Sequence, residues 1–405
     1  MPQRRLLTPG PTQVPEAARL AMARQLVNHR TPEFRAVLAE VLEGLKYVFQ
    51  TRNDVLILTS SGTGAMEAAV VNLVPRGGKA IVLESGKFAE RWRKICEAFG
   101  VQVVRHEVPW GEPFAAADVA ALLRQHPDAT AVYATLQETS TGVGHDIAAI
   151  GRAVAAGGAL LVVDGISGVG VMECRTDDWG IDVLVVGAQK ALRSPPGLAF
   201  LAVSAKAWRQ IESLADRPAF YFDLLAYRRS LAGPDTPFTP AVSLVAALAE
   251  GLREMRAEGI EAIWAGAKTL AAAARAGIAA LGLKLVAARP AAGLTAAWFP
   301  AGVDGRRFLA RLEERFGVKL AGGQGPLKGK VFRLAHLGLL DELDVLGAIA
   351  AIELGLVEFG QEIKLGTGVA AASAVLAAAV EAARLHEQAD AALLEADEVK
   401  LHADN

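Results

Sequence analysis

The stretch DVLVVGAQKALRSPPGLAF, residues 182–200, places one lysine, Lys190, shortly after an apolar run. The run is rich in valine and lacks alternating polar positions, which is typical of a strand buried on both faces of a parallel sheet. The stretch ALLVVDG, residues 159–165, has the same pattern and carries Asp164 near its end. Ligands bind beyond the carboxyl ends of parallel strands, so neighbouring positions for these two strands would bring Asp164 and Lys190 into one crevice.

Apolar strands and helices alternate before this stretch. A helix is predicted over residues 32–49, because Thr31 is a suitable N-cap and Pro32 suits the first helical position. Further strands are predicted at DVLILT (54–59), KAIVLE (79–84), VQVVRHEV (101–108) and TAVYATL (130–136). This order predicts an α/β fold with a mostly parallel sheet that helices cover on both faces.

The sequence changes character after Pro240. A long Ala-rich helical stretch covers residues 242–281. Shorter strand candidates follow at LTAAWFP (294–300), VKLAGG (318–323) and KVFRLAHLG (330–338). This pattern indicates a second, smaller α+β domain.

The chain is therefore divided into three parts. Prolines predict an extended N-terminal arm over residues 1–16. A large cofactor-binding domain is predicted over 17–250 and a small C-terminal domain over 251–405. Ala-rich composition from about residue 370 predicts a terminal helix, whose end at 395–405 we expect to be solvated or frayed.

Composition and charge exclude several classes of partner. The 405-residue chain has a formal net charge of −2 with both signs interspersed, which gives no electrostatic footprint for nucleic acid or an anionic membrane. Cys96 and Cys174 cannot form a disulfide framework and show no metal-ligand spacing, so we expect a cytoplasmic protein without a structural metal. No uncharged apolar run reaches the ~18 residues that a transmembrane helix needs, so we expect no membrane span.

Three features at predicted strand ends indicate a binding site. SSGTG, residues 60–64, begins a helix, where backbone N–H groups either cradle a phosphate or form an ordinary capped turn. Asp164 follows an apolar strand, where a carboxylate either meets a cation or caps a turn. Lys190 either neutralises Asp164 or has a lowered pKa and acts as an amine nucleophile. Together, a phosphate cradle, an acid for a pyridinium nitrogen and a nucleophilic lysine are the groups that pyridoxal phosphate (PLP) needs.

The chain resembles class V aminotransferases of fold type I, in the branch that contains alanine–glyoxylate and serine–pyruvate aminotransferases. The resemblance rests on the order and spacing of motifs along nearly the whole chain. These motifs are TPGPT (8–12), NHRTPEF (28–34), SSGTGAMEA (60–68), QETSTGVG (137–144), VDGISGVG (163–170), GAQKAL with PPGLAF (187–200), TPFTPAVSL (236–244), FRLAHLG (332–338) and LGTGVAAA (365–372). The resemblance implies a PLP-dependent transferase that forms a homodimer with the active site at the subunit interface.

Carried over to this sequence, the resemblance implies contacts to the cofactor. Lys190 would bond covalently to PLP and later move the proton during transfer, and Asp164 would keep the pyridine nitrogen protonated. Further contacts are implied for Ser61, Gly62, Thr63 and Gln189 at the phosphate, for Thr139 and Ile166 at the ring, and for Phe88 stacked on the ring. Phe88 is alternatively an ordinary core residue.

The resemblance also implies contacts to the substrate and the partner subunit. Arg333 would bind the substrate α-carboxylate, which suits a planar guanidinium, and Gly10 of TPGPT would border the substrate. Arg333 could instead pair with a buried acid such as Glu313. Thr236 and Thr239 are the candidates for contact with the partner's phosphate, although the tyrosine usual in that region is not evident.

Two residues near these motifs have no settled role. His336 is either a buried structural histidine or a residue that approaches the site. Arg193 either helps to bind the phosphate or faces water.

These residues predict a PLP-dependent aminotransferase. We expect it to move an amino group from alanine or serine to glyoxylate or pyruvate by a ping-pong sequence. Alternatives on the same scaffold are a ureidoglycine–glyoxylate or phosphoserine aminotransferase, a kynureninase-like enzyme, and a cysteine desulfurase or lyase. A non-catalytic PLP-binding protein is the alternative of a different class. No second arginine is evident near Arg333, which weighs against dicarboxylic substrates.

Overall fold

The computed structural model describes the backbone of residues 4–403 and the side chains of residues 4–385. Its strands are β1 (Arg5–Leu6), β2 (Asp54–Thr59), β3 (Lys79–Glu84), β4 (Gln102–Glu107), β5 (Ala129–Thr135), β6 (Gln137–Glu138), β7 (Val143–Gly144), β8 (Leu160–Asp164), β9 (Val183–Gly187), β10 (Leu198–Val203), β11 (Leu294–Trp298), β12 (Val318–Lys319), β13 (Ala321–Gly322) and β14 (Val331–Ala335). Its helices are α1 (Glu16–Met22), α2 (Pro32–Phe49), α3 (Gly62–Leu73), α4 (Ala89–Ala98), α5 (Ala116–Gln125), α6 (Ile147–Ala155), α7 (Ala205–Ser213), α8 (Leu224–Ser230), α9 (Val242–Glu258), α10 (Ile260–Ala280), α11 (Gly305–Phe316), α12 (Glu342–Glu358) and α13 (Thr367–Ala403).

The large domain contains a seven-stranded sheet with the order β2-β10-β9-β8-β5-β3-β4. Neighbouring strands from β9 to β4 are parallel, which confirms the predicted mostly parallel sheet. Strand β10 is antiparallel to both β2 and β9. It is missing from the predicted strands, although LAFLAV (198–203) has the same continuous apolar pattern.

Helices cover both faces of this sheet. Successive residues of a strand point to opposite faces, so each strand contributes side chains to both helical layers. On one face, residues such as Leu161 and Val163 of β8 pack with α2 and α9. On the other face, Leu160 and Val162 pack with α3, α4 and α7. The carboxyl ends of the strands lie at the edge of the sheet between the two helical layers, which is where a site is expected.

The helix boundaries partly follow the predictions. Helix α2 spans the predicted residues, and the Thr31 hydroxyl caps it by accepting a hydrogen bond from the Phe34 N–H at 3.3 Å. The Ala-rich helical stretch over 242–281 is divided into α9 and α10 at Gly259. Gly259 has a φ of 88°, which glycine adopts without the penalty of a side chain.

The smaller unit is built on the antiparallel sheet β11-β14-β13, and its core includes residues of α10, α11, α12 and α13. The N-terminal arm joins this unit, because β1 pairs in parallel with β12 and Leu7 lies in the same core. The arm then returns to the large domain, where the Thr12 N–H donates to the Gln189 carbonyl at 3.2 Å. The predicted boundary between residues 250 and 251 stays a prediction.

Helix α13 includes one stretch, Thr367–Leu385, that is long and apolar enough by length and composition alone to cross a membrane. The stretch has 19 residues and a mean hydropathy of 1.5. Its first turns pack on α10 and α12, and Ala372 and Leu376 are buried there. The expected absence of a membrane span stays a prediction, and residues 404–405 of the predicted frayed end lie outside the described residues.

Candidate active site

Two neighbouring parallel strands bring Asp164 and Lys190 together. Strands β8 and β9 pair with Asp164 opposite Val185, and Lys190 follows the end of β9 by three residues. Both residues line one small cavity of about 90 Å³. The other residues around this cavity are Ser61, Gly62, Thr63, Phe88, Arg91, Gln137, Thr139, Ile166, Ser167 and Gln189. The cavity therefore collects the residues for which the sequence predicts cofactor contacts, apart from Thr236 and Thr239.

Asp164 is buried at the base of this cavity. Its Oδ1 accepts a hydrogen bond from the Ile166 N–H at 2.9 Å. Burial raises the pKa of Asp164 to about 6, and the Ile166 N–H and the nearby charges of Arg91 and Lys190 only partly offset that effect. A protonated ring nitrogen would supply the missing partner for this carboxylate.

Lys190 is held under the N-terminal arm. Its Nζ donates a hydrogen bond to the Pro9 carbonyl, and the Thr12 hydroxyl donates to the Lys190 carbonyl at 2.8 Å. Burial lowers the pKa of Lys190 to about 8, although Asp164 opposes this shift. Lys190 is therefore closer to a neutral, nucleophilic amine at physiological pH than an exposed lysine is.

Gly10 has no space for a side chain above this lysine. A Cβ at Gly10 would lie 2.4 Å from the Lys190 Cδ, and its φ of 110° is a conformation that residues with side chains rarely adopt. The TPGPT motif thus lets the backbone pass directly over the amine. This close approach explains why glycine is needed at position 10.

Helix α3 begins at the same cavity. Ser61 is its N-cap, and the unpaired N–H groups of the first turn make this helix end suitable for an anion. A Cβ at Gly62 would lie 2.5 Å from the Ile166 Cδ1, so glycine lets the helix end come close to Ile166, the residue predicted to pack on the cofactor ring. The Gln189 Oε1 is buried without a hydrogen-bond partner among the described residues. The helix end fits a phosphate and Asp164 fits a protonated ring nitrogen, whereas the Gln189 Oε1 requires a hydrogen-bond donor.

Arg91 is a site residue that the sequence predictions missed. Its Nη1 donates a hydrogen bond to the Thr63 hydroxyl at 2.9 Å, and its guanidinium lies 5.1 Å from the centre of the Phe88 ring. No carboxylate lies within 4.0 Å of it among the described side chains. Its position three residues after Phe88, on one face of the predicted helix, is the signal that could have identified it.

Phe88 lies at the N-terminal end of α4 and is half-buried, so it is not an ordinary core residue. The buried carboxylate of Glu138 holds it in place. Glu138 accepts hydrogen bonds from the N–H groups of Phe88 at 3.1 Å and of Ala89 at 2.9 Å. It also accepts one from the Ser140 hydroxyl at 2.6 Å. Glu138, which the sequence predictions also missed, thereby fixes the Phe88 ring relative to the hairpin formed by β6 and β7.

Arg333 approaches the site from the small domain. It lies on β14, lines a second cavity of about 680 Å³ and shares that cavity with Gly10, Phe88, Thr139 and Lys190. Its Nη1 donates to the Thr139 carbonyl at 3.0 Å and its Nε to the Gly322 carbonyl at 2.9 Å. Burial lowers the pKa of Arg333 to about 10, so the guanidinium remains charged at neutral pH.

Arg333 has no carboxylate partner within 4.0 Å among the side chains of residues 4–385, and Glu313 pairs instead with Lys319. The alternative of an Arg333–Glu313 pair is therefore wrong. A buried guanidinium that donates only to carbonyl groups keeps capacity for a substrate carboxylate.

Thr236 and Thr239 lie outside both cavities around Lys190 of their own chain. The Thr236 hydroxyl donates to the Phe238 carbonyl at 2.7 Å, and Thr239 is exposed. Contact with a partner's phosphate stays a prediction for both.

His336 and Arg193 also lie away from the cofactor cavity. His336 is buried, and its Nδ1 lies 3.0 Å from the Ala292 carbonyl, as expected for a structural histidine. Arg193 is buried and bonds to Glu258 at 2.6 Å, so it neither joins the phosphate cradle nor faces water. Within the described residues, no group of three or more His, Cys, Asp or Glu side chains could hold a metal ion.

Comparisons with known proteins agree with this geometry. The family model described as aminotransferase class-V matches residues 10–331. A Synechococcus protein named soluble hydrogenase, small subunit, is 44% identical over 92% of this chain and 98% of its own length. The L-aspartate–glyoxylate aminotransferase of Paracoccus denitrificans is 38% identical over 91% of this chain and 95% of its own.

Among solved structures, the ureidoglycine–glyoxylate aminotransferase of Bacillus subtilis superposes with a TM-score of 0.88 at 29% identity. The match covers 93% of this chain and 98% of that one. The α/β architecture is thus that of fold type I aminotransferases. The chain belongs to the class V aminotransferases, a family of PLP-dependent transaminases.

Proposed function

We propose that this protein transfers an amino group from a small L-amino acid, alanine or serine, to glyoxylate or pyruvate. The observation that carries the proposal is the position of Lys190. It lines the small cavity, which also contains Asp164 and the start of α3, and it lines the larger cavity, which contains Arg333. One amine therefore faces a cofactor site and a carboxylate site. Glyoxylate as acceptor is supported by the names of the Paracoccus and Bacillus relatives.

The residues divide the chemistry between them. PLP, when bound, supplies an electron sink for the substrate carbon that carries the amino group. The first turn of α3, Gln189 and Arg91 would bind its phosphate, Asp164 would keep a proton on its ring nitrogen, and Phe88 and Ile166 would enclose its ring. Arg333 would hold the substrate α-carboxylate, and the Lys190 Nζ would remove and return the proton at the substrate Cα.

We also propose a cytoplasmic homodimer with the site at the subunit interface. Phe220 and Tyr221 support a partner surface, because Phe220 is 84% exposed and both rings pack on Phe238 beside Thr236 and Thr239. An exposed aromatic cluster of this kind is typical of a protein interface. Threonines on this segment would then reach the partner's phosphate rather than that of their own chain.

A dicarboxylic amino donor such as aspartate is the second candidate, because Arg306 lines the same cavity as Arg333. Arg306 lies in the first turn of α11, where its backbone N–H donates to Asp304 at 3.0 Å, and no carboxylate lies within 4.0 Å of its guanidinium among the described side chains. It supplies the second arginine that is not evident near Arg333 in the sequence. A guanidinium at this position could bind a side-chain carboxylate.

The test is a donor panel on purified holoenzyme. Alanine, serine and aspartate are each mixed with the enzyme without an acceptor, and the cofactor absorbance spectrum is followed; glyoxylate, pyruvate and 2-oxoglutarate are then added in turn. We expect alanine or serine to convert the spectrum, and glyoxylate or pyruvate to restore it with formation of glycine or alanine. Conversion by aspartate alone would favour the second candidate, and no conversion by any donor would identify a non-catalytic PLP-binding protein.

A further inference from the structure

A separate cavity of about 350 Å³ lies between the two domains, on the far side of the β6–β7 hairpin from Lys190. The large domain contributes Leu136, Met172 and the start of α6, and the small-domain side contributes α10 and residues 289–292. Much of its surface is apolar, but Lys268, Arg275 and Arg289 also line it, together with two acids that are already paired, Asp146 with Arg289 and Glu173 with Arg175. Neither the proposed transamination nor the cofactor contacts use this cavity.

Two of the basic residues lie on one face of α10: Lys268, which is exposed at the cavity rim, and Arg275, which is half-buried. They are seven residues apart, which is two helical turns and about 10 Å along the axis. No carboxylate lies within 4.0 Å of either one among the side chains that the structure describes. The third, Arg289, already faces Asp146 at 3.7 Å.

Arg275 also lacks a hydrogen-bond partner for one of its guanidinium nitrogens. Its Nη2 donates to the Ala291 carbonyl at 2.8 Å, but its Nε is buried without any hydrogen-bond partner among the described residues. Burial lowers the pKa of Arg275, and no acidic group opposes this shift. Arg275 is half-buried, and a guanidinium that loses water without gaining a counter-ion is costly, so an anion beside it would stabilise the folded protein.

We propose that this interdomain cavity is a binding site for a small organic dicarboxylate, held between Lys268 and Arg275. Two separated cations fit two carboxylates, and the apolar wall between them fits a short carbon chain. The ligand binds and dissociates reversibly without chemical change.

The cavity is connected to the active site through hydrogen bonds of the hairpin. On its cavity side, the Ala291 N–H donates to the Gly142 carbonyl at 2.8 Å, and the Gly293 N–H donates to the Gln137 Oε1 at 3.1 Å. On its other side, Gln137 lines the cofactor cavity and the Thr139 carbonyl accepts from Arg333. The β6–β7 hairpin and residues 291–293 therefore join the two cavities by direct hydrogen bonds.

Succinate is the probe, because it has two carboxylates and neither an amino nor an oxo group, so it cannot be transaminated. Calorimetric titration is run on the wild-type holoenzyme and on the Arg333→Gln holoenzyme, which lacks the carboxylate contact of the active site. We expect one binding event to persist in Arg333→Gln. Lys268→Gln should weaken that event about tenfold or more, as expected for loss of one charged contact. The matched charge change Lys328→Gln, on an exposed lysine outside the described cavities, should leave it unchanged.

The Arg275→Gln variant is titrated with succinate in the same way. Its melting temperature is compared with that of wild type, to check that loss of the bond to the Ala291 carbonyl does not unfold the protein. Loss of all succinate heat in Arg333→Gln would overturn the proposal, because succinate would then bind only at Arg333. Equal succinate affinity in wild type, Lys268→Gln and Arg275→Gln would also overturn it. Neither outcome depends on which amino acid is the donor, so the proposed function is tested separately.

Discussion

The active site has two walls that arise in different ways. The cofactor wall consists of the ends of β8 and β9 and the start of α3, which belong to the large domain and meet at one edge of one sheet. The substrate wall consists of Arg333 and Arg306, which lie on β14 and α11 of the small domain. The first wall is fixed by strand order, and the second depends on how two domains pack.

The two walls meet through few contacts. The Thr139 carbonyl accepts from Arg333, and the arm places Gly10 over Lys190 after pairing with β12. Substitutions in the first wall should therefore alter cofactor binding, whereas substitutions in the second should leave the cofactor bound and alter substrate selection. Variants on each wall can separate these effects.

The largest effect is expected for Lys190→Ala. Loss of proton transfer alone lowers kcat by about 10²–10⁴-fold, and the covalent bond to the cofactor is lost as well. Borohydride reduction followed by peptide mass analysis measures that bond. Lys319→Ala is the matched control, since it removes an amine from the larger cavity only. Equal cofactor attachment in Lys190→Ala and wild type would contradict the assignment.

Lys190 should also give a pH dependence. Burial lowers its pKa to about 8, so the neutral amine becomes the major form above about pH 8 rather than near the ordinary value for lysine. The rate at which apoenzyme bonds to pyridoxal should therefore rise with pH and level off above about 8. A rate that still climbs steeply near pH 10 would show that Lys190 is solvated as an ordinary lysine.

Asp164→Asn should have the next largest effect, about 10²–10³-fold in kcat, because it removes a preorganised charge from the ring nitrogen while keeping the shape. Burial raises the pKa of Asp164 to about 6, so in the free protein the carboxylate becomes protonated as the pH falls through 6. Wild-type affinity for PLP should therefore fall below about pH 6, and Asp164→Asn should lack this fall. Fluorescence titration of apoenzyme measures both, and identical profiles would exclude Asp164 as the titrating group.

Much of the cofactor wall can be predicted from the amino-acid sequence. Strands β8 and β9 are consecutive apolar runs, and consecutive parallel strands usually lie side by side, so their order alone places Asp164 and Lys190 together. The start of α3 is predictable for a similar reason, from glycines and serines between a strand and a helix. Strand β10 is predictable as a strand from its apolar run LAFLAV, but its antiparallel insertion between β2 and β9 has no local signal.

The substrate wall cannot be derived in this way. Arg333 is assigned only from a family resemblance, because no periodicity relates residue 333 to residue 190. Arg306 is missed since its place beside Arg333 depends on the packing of α11 against β13 and β14. Glu138 is missed for a similar reason: its carboxylate caps a helix 50 residues away in the chain. Long-range packing and caps of this kind leave no pattern in a single sequence.

Arg333→Gln should lower kcat/KM for every amino donor by about 10–100-fold, the expected loss for a charge-assisted carboxylate contact. PLP affinity should change little, because Arg333 does not line the small cavity. Arg333→Lys keeps the charge but not the planar fork, so it should recover only part of the rate. The control Arg306→Gln should impair aspartate alone. A uniform loss of PLP affinity in Arg333→Gln would mean that the two walls are not separable.

The smallest effect is expected for Arg91→Gln, which tests whether the cofactor wall extends beyond the strand ends. Arg91 bonds to Thr63 and faces the cavity without a carboxylate partner among the described residues, so it should bind the cofactor phosphate. PLP affinity should fall about tenfold, as expected for one charged contact. Affinity for pyridoxal, which lacks the phosphate, should not change.

The control for this prediction is Arg93→Gln on the same helix. Arg93 bonds to Glu84 and Glu97 and does not line the cofactor cavity, so its loss should leave the affinities for PLP and pyridoxal unaltered. Pyridoxal shares the ring and the aldehyde with PLP. Because of this, an equal loss of affinity for both ligands in Arg91→Gln would show that Arg91 acts on the neighbouring Phe88 ring rather than on the phosphate.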